Sequence, residues 1–111
     1  MGKPNFVKRI VGELVSPDNI NTFSAVGDIN NDGLPDIVIC GRNGKMVWFE
    51  NSALEWEKHL IDNVSHMECG GSLYDINGDG YLDIINGSDY MADEIYWWEN
   101  PGTTGSVWVK G

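Results

Sequence analysis

The chain has 111 residues, 41% of them hydrophobic, and 17 acidic side chains against 7 basic ones give it a formal charge of −10. A chain of this length can bury roughly 60–70% of its unfolded surface, enough for one modest core, and no apolar run approaches the ~20 residues of a membrane span, which predicts a soluble globular class without membrane insertion. The acidic excess opposes nucleic acid and anionic membranes as partners and favours cations.

The N-terminus, MGKPNFVKRIVGELVS, alternates polar and apolar residues and shows no basic start followed by an apolar stretch, so no signal peptide is visible. Within it FVKRIV, residues 6–11, is the first predicted strand. NTFSAVGD (21–28), PDIVICG (35–41) and KMVWFEN (45–51) follow, each β-branched or aromatic in character and bounded by Gly, Asn, Asp or Pro. SALEWEKHLID (52–62) is ambiguous. Ser52 and Glu55 form a capping-box pattern and the composition suits a helix. Its counterparts elsewhere in the chain, FVKRIV and VWVKG (107–111), are poor helix formers, which favours a strand.

Those counterparts belong to an internal repeat. GDINNDGLPDI at 27–37 recurs as YDINGDGYLDI at 74–84, placing Asp28, Asn30, Asp32, Gly33, Asp36 and Ile37 on Asp75, Asn77, Asp79, Gly80, Asp83 and Ile84 at an offset of 47. KMVWFEN recurs as EIYWWEN (94–100) at an offset of 49, so SDYMADE (88–94) makes the second copy's connection two residues longer. The predicted organisation is one repeat domain over 1–111: residues 6–11 as a strand shared with a preceding blade, 20–61 as blade one and 66–110 as blade two. Four antiparallel strands recurring every 45–50 residues predict an all-β fold of two four-stranded β-propeller blades.

The pattern D-x-[DN]-x-D-G-x-x-D, an apolar strand, then I-x-W-[FYW]-E-N and W-x-x-H resembles the FG-GAP or VCBS repeats of integrin-α-type propellers, fungal lectins and many secreted bacterial proteins. The resemblance covers about residues 6–110. It implies a calcium ion in the loop joining the first and second strands of each blade, and an extracellular or cell-surface setting, although the chain itself leaves localisation open.

The loop chemistry points the same way on its own terms. Calcium takes roughly six to eight oxygens, so it needs several carboxylates and carbonyls converging from a flexible loop. Side chains at positions 1, 3, 5 and 9 and a main-chain carbonyl at 7 supply them. These are Asp28, Asn30, Asp32, Asp36 and the carbonyl of Leu34, then Asp75, Asn77, Asp79, Asp83 and the carbonyl of Tyr81, giving two Ca²⁺ per chain. Gly33 and Gly80 permit a positive-φ turn. The EF-hand alternative fails because Ile39 and Asn86 stand where its Glu is needed. Turn residues alone could also explain such a loop, but three acids in the same register twice would then repel one another without return.

Trp48, Phe49, Trp97 and Trp98 recur as pairs, and alternation sends one of each pair to each sheet face. Packing between sheets is their main expected role, with Tyr90, Trp97 and Trp98 as the candidate ligand contacts because the second copy's loop differs there. Catalysis has no visible motif: His59 and His66 sit in no nucleophile or metalloprotease pattern. Cys40 and Cys69 are expected as small buried thiols. Two blades do not close a ring, so either the chain is excised from a longer propeller or copies self-associate, with three chains giving six blades and four giving eight. Three functions remain open: a calcium-stabilised module binding a glycan or protein, part of a polysaccharide-active enzyme such as a lyase, or a purely structural assembly unit.

Overall fold

The computed structural model describes residues 6–13, 21–41, 43–65, 67, 70–88 and 94–111. His66, Cys69, Tyr90 and most of the SDYMADE connection lie outside them. Strands β1 (Asn21–Gly27), β2 (Asp36–Gly41), β3 (Asn43–Asn51) and β4 (Trp56–Ser65) form one four-stranded sheet. β5 (Ser72–Tyr74), β6 (Asp83–Gly87), β7 (Ile95–Glu99) and β8 (Val109–Lys110) form the second. Every neighbouring pair is antiparallel, in sequential order. The protein is therefore all-β, with two sheets arranged like propeller blades, and among the described residues no helix is long and apolar enough to cross a membrane.

The repeat is carried into the register. Val26 stands opposite Ile37 and Ile37 opposite Phe49, and at the equivalent positions Leu73 stands opposite Ile84 and Ile84 opposite Trp98. SALEWEKHLID resolves as a turn followed by strand: the Ser52 hydroxyl and amide both donate to the Glu55 carbonyl, and β4 begins at Trp56. A register shift between Met46 and Val47 lets β3 and β4 run on to Asn43 and Ser65. Residues 6–13 carry no regular strand; Gly12 packs on the Phe49 ring and Lys58 donates to the Glu13 carbonyl.

Alternation gives each sheet two apolar faces, as a blade flanked on both sides requires. One face of blade one, with Phe23, Val38, Cys40 and Trp48, meets the opposite face of blade two, with Ile84 and Trp98; all are buried in one cluster that Ile29, Met46, Ile61, Met67 and Trp108 complete. Polar ties cross the seam. Trp98 Nε1 donates to Asp62 Oδ2 at 3.0 Å, and Asn31 Nδ2 to the Gly80 carbonyl at 2.9 Å. Asn100 Nδ2 reaches both the Ile29 carbonyl of blade one and the Leu82 carbonyl of its own blade, at 2.8 and 3.0 Å.

Candidate functional site

The two Asp-rich loops are the β1–β2 and β5–β6 connections, and they are built alike. Each opens on an aspartate whose carboxylate gathers main-chain amides. Asp28 accepts from Asp32 N and Gly33 N, and Asp75 accepts from Gly78 N, Asp79 N and Gly80 N, all at 2.7–3.1 Å. Gly33 and Gly80 turn at φ +87° and +93°, the left-handed region that L side chains avoid. The fifth-position aspartates each accept from the residue two ahead, Leu34 N on Asp32 and Tyr81 N on Asp79. These short bonds fold the acidic side chains back over the loop.

The ninth-position aspartates are fully buried and tie the loop to the blade. Asp36 accepts from Ile29 N and from Asn51 N, joining the loop to the end of β3. Asp83 does the same with Ile76 N and Asn100 N at the end of β7. Asn51 and Asn100 then accept from the amides of Ala53 and Gly102, closing the same turn after each third strand. Burial pushes the Asp36 carboxyl above its usual range; the two amide bonds oppose that shift, and the charges of Asp32 and Asp28 add to it. An uncompensated anion there is costly, so a neighbouring cation would relieve it.

The third-position asparagines link each loop to the E-N corner. Asn30 Nδ2 donates to Glu50 Oε2 at 2.9 Å, and Asn77 Nδ2 to Glu99 Oε2 at 3.0 Å. With its amide nitrogen so engaged, Asn30 Oδ1 is buried without a partner. A lone buried acceptor costs about 1–3 kcal/mol unless something satisfies it. The Asp28, Asp32 and Asp36 carboxylates and the loop carbonyls are likewise oxygen donors, the chemistry a hard divalent cation prefers, although the three carboxylates do not all gather within 4.8 Å of one another. By donor chemistry the loop residues fit calcium, which when bound would supply positive charge to these carboxylates. Asp28, Asn30, Asp32, Leu34 and Asp36 would hold one ion, and Asp75, Asn77, Asp79, Tyr81 and Asp83 the other.

The structure also brings together a group that sequence patterns did not single out. His59 Nε2 lies 2.8 Å from Glu50 Oε1 and 4.0 Å from Glu57 Oε2, and the His59 ring stacks on Trp48 at 4.6 Å. Among the described residues this is the one cluster of three His, Cys, Asp or Glu side chains whose ligand atoms all fall within 4.8 Å. It borders a cleft of about 320 Å³ between blade one and the 101–106 turn of blade two, lined by Asn30, Trp48, Lys58, His59, Asn100 and Trp108 among others. The available signal was a difference between copies: by strand register His59 corresponds to Gly111 and Glu57 to Val109, so blade two has no such group.

Of the aromatic ligand candidates, Trp98 is 1% exposed and fills the seam, whereas Trp97 is half-buried on the outer face of blade two with Gly111 against its indole. Tyr90 is outside the described residues. Cys40 is a buried free thiol.

Comparison with known proteins bears on this arrangement. The chain is 36% identical, over an alignment of 86 residues, to "Integrin alpha pat-2" of Caenorhabditis briggsae and to the protein of the same name in Caenorhabditis elegans. The alignment covers 68% of this chain but 7% of either relative, so the chain spans a small part of the length of the curated relatives it matches. No family model matches the chain, and no solved structure does. The similarity points to an FG-GAP-like repeat, in agreement with the motifs.

Proposed function

We propose that the chain is a calcium-stabilised pair of propeller blades that serves as a binding module, for a glycan or a protein, in an adhesion-type setting. One observation carries the calcium half: the same bonding pattern is built twice, an amide-gathering aspartate, an asparagine held by a glutamate and a buried aspartate tied to the third strand, and in the first loop it leaves a buried oxygen without a partner. Calcium here is structural. It neutralises the carboxylates and fixes the first connection of each blade, while recognition falls to surfaces where the blades differ. The inter-blade cleft, where His59 stands at the position that Gly111 holds in blade two, is a surface of this kind, and the half-buried Trp97, whose counterpart Trp48 is buried, offers a second ring beside polar groups.

Thermal unfolding with calcium and with chelator tests the ion. A ligand that binds only the folded state stabilises it by about 2.7 kcal/mol at 100 times its dissociation constant, so Tm rises with calcium and falls with chelator, and titration gives two ions per chain. Identical melting curves would sink the calcium proposal. A glycan array probed with the protein, and then with His59→Ala and Trp97→Ala, tests the binding half. Binding that both variants leave untouched would remove these surfaces from it.

A further inference from the structure

The β3–β4 ladder sets four side chains on one face beside the inter-blade cleft. Trp48 stands directly opposite His59 and Glu50 directly opposite Glu57, and alternation puts both pairs on the same side of the sheet. Like charges directly opposite one another on antiparallel strands are destabilising. Here the two glutamates converge on one imidazole, with His59 Nε2 lying 2.8 Å from Glu50 Oε1 and 4.0 Å from Glu57 Oε2. Lys58, between Glu57 and His59 in sequence, donates to the Glu13 carbonyl, so the cation nearest in sequence is engaged elsewhere.

Two of these three groups are held from behind, as metal ligands are when outer partners fix their orientation. Glu50 accepts from Asn30 Nδ2 at 2.9 Å through its other oxygen, and the His59 ring stacks on the buried Trp48. The amide that holds Glu50 also carries Oδ1, which is buried and has no partner, an independent sign that protein groups alone do not complete the polar bonding at this corner of the cleft. The third group, Glu57, has a side chain 73% exposed and can move. Ligand atoms about 2.0–2.2 Å from a zinc ion lie roughly 3.3–3.5 Å apart in a tetrahedron. A slight opening of the His59–Glu50 pair and a slight closing of the His59–Glu57 pair reach that spacing.

We propose that Glu50, Glu57 and His59 hold a divalent metal ion of the zinc class, at a site separate from the calcium loops. An imidazole nitrogen beside two carboxylates favours Zn²⁺, Co²⁺ or Ni²⁺, whereas calcium prefers oxygen throughout. Blade two lacks the site, because Gly111 and Val109 stand at the positions of His59 and Glu57, so one such ion is expected per chain. Three protein ligands leave a further position for water or for an oxygen of a bound molecule, and His59 lines the cleft from which that molecule would come. The inference rests on neither the calcium reading nor the proposed glycan or protein binding.

Calorimetric titration of the full chain with Zn²⁺ in excess calcium tests it, the calcium occupying any oxygen-only site. The wild type takes up one zinc ion per chain, and Co²⁺ in its place gives the visible absorption of an imidazole-bound ion. His59→Gln, which keeps a polar group against Glu50, removes that absorption. Glu57→Gln weakens zinc binding at least tenfold, the cost of losing even an outer partner of a ligand. Glu94→Gln removes the same charge from an exposed position of blade two and leaves zinc affinity unchanged. Circular dichroism checks folding; should His59→Gln unfold, the exposed Glu57 still carries the comparison. A folded chain that takes up no zinc, or a Glu57→Gln variant with wild-type affinity, would overturn the proposal. So would an equal loss in Glu94→Gln, which would reduce the binding to general attraction between a cation and an acidic chain.

Discussion

Two aspartates in one loop have separable roles. Asp83 is fully buried and accepts from Ile76 N and Asn100 N, so Asp83→Ala strands two amides whatever the ion content. The expected loss is roughly 2–4 kcal/mol of unfolding free energy in chelator as well as in calcium. Asp75 is half-buried at the start of the loop and gathers only amides of the exposed residues that follow it. Asp75→Ala costs little in chelator and removes the gain on adding calcium. Denaturant titrations of both variants in both buffers check the contrast. Cys40 makes a second residue-scale case. Its thiol is buried and pushed up to about 11, chiefly by loss of solvent, so at neutral pH it stays protonated and unreactive. A thiol reagent should label Cys40 only as fast as the protein unfolds, a rate that stopped-flow unfolding measures independently; labelling that outruns unfolding contradicts this packing.

At the scale of elements, Trp98 joins its strand to the neighbouring blade through apolar contact and its bond to Asp62. Trp98→Ala is expected to cost about 3–5 kcal/mol in equilibrium unfolding. Trp98→Phe should cost less, because it keeps most of the ring volume while losing the indole N–H; equal losses would show that packing contributes nothing beyond the hydrogen bond. Much at this scale was legible beforehand. The eight strands and both loops were readable because β-branched runs and D-x-N-x-D-G-x-x-D recur at a fixed offset, and the strand over residues 56–61 was decided by the repeat against its own helix-forming composition; FVKRIV over 6–11, also expected as a strand, forms none, because alternation alone does not supply a partner strand. The length of β3 and β4 was not readable, because the shift at Met46 and Val47 is a main-chain event with no residue signature. Nor was the cleft at His59, which joins residues from two blades that periodicity treats one at a time. The sequence also suggested Trp98 as a ligand contact, since alternation assigns a residue to a face without saying which face is covered.

For the whole molecule the question is whether two similar blades behave as two bodies or one. Arrays of repeats are held by the intrinsic stability of each unit plus the interface between neighbours, and a weak interface lets units melt separately. Here β5 and β6 of blade two run three and five residues against seven and six for β1 and β2 of blade one, so blade two is the less extensively paired unit in its first two strands. The seam offsets that weakness with the shared buried cluster and with bonds from Trp98, Asn31 and Asn100.

Asn100 concentrates this coupling in one amide group. Its nitrogen bridges a carbonyl of each blade while its main-chain amide bonds to Asp83, so the corner that closes blade two is also fixed to the first loop of blade one. In folding terms these bonds predict that the second blade unfolds together with the first. Urea unfolding followed by Trp fluorescence and by far-UV circular dichroism should give one coincident transition. Asn100→Ala should split it in two, with blade two melting first; a transition that stays single and merely shifts would mean that the apolar seam alone makes the two blades a single cooperative unit.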